Sequence, residues 1–219
     1  RHYRRQRQMC IRDSPKRTAS GGRPIGVFLR MPVYIIGVLC CAVGYALMSY
    51  LMTATPLQVV NVAKLGNSAN ATIIQWHVVA MFLPSFFTGS LIGKFGSFRI
   101  LWSGVAFYLA SIFLAVTAAG FWPYWLALVA AGLGWNFLFV GGTSLVARVA
   151  EPEERGRVQG FADLMTMTTV AAASLSAGAI HSQLGWEALS LAALGPLSMV
   201  CAGLLWLGVI RGREKPRSA

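Results

Sequence analysis

The side chains able to do chemistry in this chain are few, and they sit inside oily runs. Gln75, Trp76 and His77 are consecutive within an apolar stretch from Ala71 to Gly93. His77 can take up and release a proton, because an unperturbed imidazole titrates near about pH 6.5. A lone histidine there can equally be a packing residue held by one hydrogen bond. Asn136 follows Gly132 and Gly134 at the middle of a second stretch. An amide at that depth needs partners, which a water-filled cavity or a facing helix supplies. Asp163 is the acid inside an apolar run; it can relay protons or pair with Lys94, Arg155 or Arg157 at the membrane face. Tyr45, Ser49, Thr166 and Thr169 add hydroxyls at middle depth. The solute-pathway candidates are therefore Asn136, Gln75, His77, Tyr45, Ser49, Thr166 and Thr169, and the proton-coupling candidates are His77 and Asp163.

Catalysis finds little footing in the same residues. Ser144 with His181 or His77 has the outline of an intramembrane serine hydrolase, but Gly141-Gly142-Thr143-Ser144-Leu145 lacks the Gly-x-Ser-Gly nucleophile turn. Ser144 and His181 are also expected at opposite membrane faces, whereas a nucleophile and its base must touch. Cys40, Cys41 and Cys201 lie in apolar runs, where thiols behave as small hydrophobes. With no Cys-x-x-Cys or Cys/His spacing, neither a metal nor a cofactor is expected.

The elements that must position these groups follow from where charge is missing. Hydrophobic residues make up 56% of the 219 and charged residues 12%, the balance of an integral membrane protein. No Asp, Glu, Lys or Arg falls between Arg30 and Lys64, Lys64 and Lys94, Arg99 and Arg148, Asp163 and Glu187, or Glu187 and Arg211. About 20 apolar residues cross a bilayer core, so each gap holds one span, and the Arg99–Arg148 gap holds two, parted by Gly120-Phe121-Trp122-Pro123. The fold class is all-α, a polytopic membrane protein of six transmembrane helices: about Val33–Val60, Ala71–Gly93, Ile100–Ala119, Tyr124–Ala147, Val158–Ile180 and Glu187–Ile210. Pro56 should kink the first and Pro84 mildly break the second. Gly89 and Gly93 form a close-packing pair, as does Ser174 with Gly178. Asn61–Asn70 and His181–Trp186 read as outer loops, and Pro152 as the start of a short surface helix with acids at its N-terminus.

Six spans put both termini on one side, and every Lys and Arg except Lys64 falls there. By the positive-inside rule that side is the cytoplasm. The net charge of +12 hints at nucleic acid, but much of it is a basic tail over residues 1–23, and no nucleic-acid partner is expected. Residues 1–14 resemble translated adaptor read-through and are set aside from fold reasoning. Residues 24–211 form the transmembrane domain, and 212–219 a second basic tail.

The inner turn Gly89-Ser90-Leu91-Ile92-Gly93-Lys94-Phe95-Gly96-Ser97-Phe98-Arg99 resembles the signature loop of the major facilitator superfamily. Pro152-Glu153-Glu154-Arg155-Gly156-Arg157-Val158-Gln159-Gly160 resembles that family's charged loop before its eleventh helix. Gly93 stands where the family has Asp and Ser97 where it has its first Arg, while Lys94, Gly96 and Arg99 keep the basic-glycine pattern. The resemblance implies the C-terminal half of a twelve-helix carrier, two inverted three-helix repeats over Val33–Ala119 and Tyr124–Ile210. It also implies alternating-access secondary transport of a small solute, proton-coupled, in a bacterial inner membrane. Its partners would be the lipid bilayer and an N-terminal six-helix half. Gly89, Gly93, Lys94, Gly96, Arg99, Arg155 and Arg157 would form the cytoplasmic gating loops. A non-transporting membrane scaffold is the alternative for a lone six-helix chain.

Overall fold

The computed structural model describes residues 22–214, with side chains to residue 210. Among these the chain is helical throughout, with no strand. A short α1 (Ile25–Phe28) leads into α2 (Pro32–Pro56), which carries Pro at its first turn, where the missing N–H costs nothing. The expected kink at Pro56 takes the form of a π-helical turn, Leu57–Val62, so that α2 and this turn make one 31-residue apolar rod. The expected outer loop shrinks accordingly: α3 (Gly66–Phe82) starts after only Ala63, Lys64 and Leu65. Pro84 separates α3 from α4 (Ser85–Phe95) with a bend of 41°, a sharper break than the sequence implies. Gly96, at φ 83°, turns the chain into α5 (Ser97–Val116).

The middle of the molecule is α6 (Phe121–Val149), which packs against α5, α2 and α3. Its glycines are where the backbones close. A Cβ on Gly142 would stand 2.7 Å from the Gly37 carbonyl and from Cys41 Sγ, and one on Gly132 would stand 2.7 Å from the His77 carbonyl. With no hydrophobic drive between helices in lipid, such contacts hold the bundle together by dispersion. The pair expected to do this, Gly89 and Gly93, faces open space on α4, and so does Gly178.

The charged loop makes only a turn over Pro152–Glu154 before α7 (Arg155–Ala192) begins, in place of the expected short helix. Inside α7, Gly185 has φ 79° and ψ −178°, outside the helical region and open to glycine at no steric cost. Before it, Val158, Ser174 and His181 meet Tyr34, Ser49 and Gln58 in turn, so α7 runs parallel to α2. After it, Trp186 hydrogen-bonds Ala115, and Gly203 of α8 (Leu194–Glu214) packs on Ile36. The chain therefore doubles back near Gly185. Four helical segments are long and apolar enough to cross a membrane, Arg155–Ile210 counted whole, and the bent α3–α4 pair makes a fifth. The tails over residues 1–21 and 215–219 lie outside the described residues.

Candidate functional site

The bend at Pro84 exposes backbone groups, because a proline inside a helix leaves carbonyls without their donors. No backbone N–H across the break reaches the Met81 carbonyl. Asn136 does. Its Nδ2 donates to Met81 O at 2.8 Å and to Ser85 Oγ at 2.5 Å. Thr88 Oγ1, shared between Asn136 Oδ1 at 2.6 Å and Pro84 O at 2.9 Å, closes the ring. Asn136 and Thr88 are fully buried. The amide at the centre of α6 thus clips both halves of the broken helix, with all its groups engaged by protein.

One turn before Met81 on α3, His77 is also fully buried, and its Nδ1 lies 2.6 Å from the Leu128 carbonyl. A carbonyl only accepts, so Nδ1 carries the proton and Nε2 is left over. Nε2 is buried without a partner. Gln75 and Trp76, its neighbours in sequence, point outward and are exposed. The sequence cluster is therefore split between the inside of the bundle and its open face.

Tyr45 is half-buried in an aromatic group with Phe82, Trp135 and Phe139. Ser49 is held by Ser174 at 3.2 Å. Thr166 is buried and bonded back to Ala162 O, a local satisfaction that leaves its hydroxyl little to offer a solute. Thr169, exposed and bonded back to Met165 O, lines a largely apolar cavity of about 440 Å³ between α2, α7 and α8. Asp163 is exposed and accepts from Gln159 at 3.0 Å; the expected pairing with Lys94, Arg155 or Arg157 is not made among the described residues. Lys94 instead lies over the Phe95 ring at 5.3 Å.

At the Lys94 end the structure adds a latch that sequence reading missed. Arg23 donates to Glu154 through its backbone N, Nε and Nη2, at 2.7 to 3.0 Å, and its Nη2 also reaches the Val149 carbonyl. Glu154 is 3% exposed, and its hydrogen bonds with Arg23 hold its carboxyl down at about 2. Arg157 donates to the Gly22 carbonyl, and Ser97 and Ser144 hydroxyls meet at 3.3 Å beneath. The opposite end carries a second network: Gln58 donates to Tyr124 and lies 3.2 Å from His181 Nε2, beside Trp186. Ser144 and His181 thus belong to opposite ends of the bundle, and no Ser–His pair forms between them.

Four long apolar helical segments, with the bent α3–α4 pair as a fifth, fit a polytopic membrane protein. The family model for the Major Facilitator Superfamily matches residues 35–219. The chain belongs to that superfamily. It is 38% identical over 209 residues to a riboflavin transporter of Brucella anthropi, covering 95% of this chain and 51% of that protein. Two uncharacterized MFS-type transporters of Bacillus subtilis are 30% and 32% identical, each over 72% of this chain and 36% and 37% of their own lengths. The chain spans about half or less of the relatives it matches.

Proposed function

We propose that this chain is the C-terminal half of a proton-driven carrier that moves a riboflavin-like solute across a bacterial inner membrane. Residues 24–211 would supply six crossings, with the doubling-back at Gly185 dividing Arg155–Ile210 into two. The crossings would form two three-helix repeats, Val33–Ala119 and Tyr124–Ile210, with both termini facing the cytoplasm, a placement that the distribution of Lys and Arg supports. An N-terminal half would close the other wall of a central cavity, and rocking of one half against the other would expose that cavity to each side in turn.

The observation that carries the reading is the 38% identity to a riboflavin transporter, which runs through nearly the whole chain. The broken α3–α4 pair supports it, since discontinuous helices in carriers line the solute site. Gly89, Gly93, Lys94, Gly96 and Arg99, with Arg155 and Arg157, belong to the cytoplasmic gate, where the Arg23–Glu154 latch fastens the loop before α7. His77, through its unpartnered Nε2, and the exposed Asp163 are the groups free to carry a coupled proton. Gln75, Tyr45, Ser49 and Thr169 face or border the open side and belong to the solute pathway. Asn136 serves that pathway by holding the break.

The test is uptake of labelled riboflavin by a riboflavin-auxotrophic bacterium expressing the complete reading frame. Accumulation above the vector control, collapsed by a protonophore, is expected. Membrane-inserted protein with no uptake would overturn the reading, and so would a frame that encodes no further spans upstream.

A further inference from the structure

We propose that Tyr45, Phe82, Trp135 and Phe139 form the wall on which the carrier stacks the flat ring system of its solute. This rests on the transporter reading above and names the part of the pathway that recognises the ring. Trp135 and Phe139 stand one turn apart on α6, face to face at 5.2 Å with planes only 8° apart. Tyr45 of α2 stands edge-on to both, at 5.4 and 5.5 Å, and Phe82 of α3 stands edge-on to Trp135 at 5.7 Å. Three helices thus converge to hold the four rings in the offset and T-shaped geometries that aromatic quadrupoles favour, which fixes them before a ligand arrives.

The exposure is graded as a binding wall requires. Trp135 is 5% exposed and forms the backing, Tyr45 and Phe139 are half-buried, and Phe82 is 55% exposed. Val78, Leu83 and Phe86 beside Phe82 are exposed and apolar, and the wall differs from a purely lipid-facing surface in the polar groups that border it. The outer side of α5 shows Leu109 and Phe113, and that of α8 Leu205, Trp206 and Val209. Around the wall, by contrast, Ser49 and Thr53 lie one and two turns beyond Tyr45 on α2, and exposed Gln75 lies two turns before Phe82 on α3. Polar groups at hydrocarbon depth face cavities and protein in preference to lipid tails. They can meet the polar edge and side chain of a heteroaromatic solute.

Two further features bind the wall to transport. Phe82 is the last residue of α3 before the break, and Trp135 adjoins the Asn136 clip, so movement at the break shifts the wall. The Trp135 indole N–H is buried without an acceptor. A ring carbonyl of the solute can satisfy it once Phe82 moves aside, and leaving such a donor unpaired is costly.

The experiment measures binding of riboflavin to the complete carrier in lipid nanodiscs, read by quenching of flavin fluorescence, which contact stacking on aromatic side chains produces. Phe82→Leu and Phe139→Leu should each raise Kd about tenfold, Phe139→Tyr should stay near wild type, and Phe113→Leu on α5 should change nothing. Thermal melting and gel filtration confirm that each variant is folded. Wild-type affinity in Phe82→Leu and Phe139→Leu would overturn the wall and leave the transporter reading standing. If the wild type ignores riboflavin but binds adenosine or another flat heterocycle with the same variant pattern, the wall stands and the flavin-like solute falls. Binding of no flat ring by a folded carrier would refute both.

Discussion

The Asn136 clip makes a prediction that can be worked from its contacts. Asn136→Ala removes two donations and one acceptance. Hydrogen bonds between membrane helices average about 0.6 kcal/mol, so the three together are worth about 2 kcal/mol. The Met81 carbonyl is then buried without a donor, which adds about 1–3 kcal/mol. The expected loss is about 3–5 kcal/mol, enough to lower the melting temperature in detergent by several degrees. The informative perturbation is the same substitution made on Pro84→Ala. Alanine restores an N–H and lets the helix straighten, so Ser85 N–H can reach Met81 O as in an ordinary ladder. Asn136 then has less to repair, and Asn136→Ala should cost about 1–2 kcal/mol less on that background, a coupling that a double-mutant cycle resolves. The readout is thermal unfolding of all four proteins in one detergent. Strict additivity would refute the argument, because it would mean that Asn136 does not answer to the broken helix. In transport, Asn136→Ala should impair uptake without preventing membrane insertion.

Further expectations rest on separate contacts. Glu154, held at about 2 against an ordinary 4.5, stabilises the latch fully above about pH 4.5 and loses that contribution as pH falls toward 2. The melting temperatures of wild type and Glu154→Gln should therefore differ at pH 7 and converge on acidification; a pH-independent gap would count against the latch. Gly142→Ala places a methyl 2.7 Å from Cys41 Sγ and the Gly37 carbonyl. It should destabilise by about 1–3 kcal/mol, whereas Gly93→Ala, with nothing near it, should melt as wild type. His77→Gln should flatten the pH dependence of uptake, and an unchanged profile removes His77 from proton coupling.

The sequence alone determined the membrane character, the positions of most apolar rods and the family, because long charge-free gaps and loops of fixed composition are local properties that need no folding to read. It also singled out Asn136 and His77 as polar groups within apolar runs. Which partners they found was a matter of rotation and register between helices far apart in the chain. A shift of one residue, about 100° around the helix axis, would have sent His77 to the open face where Trp76 stands, and Asn136 toward α5, where Phe137 meets Phe107. The close-packing glycines show the same division. Gly89 and Gly93 have the right spacing but no helix against them, while Gly132 and Gly142 work because α3 and α2 cross α6 there. The Arg23–Glu154 latch joins residues 131 apart, and the aromatic wall draws on three helices. Spacing within one segment records neither. Only the packed bundle, in which each backbone settles where its neighbours leave room, could decide them.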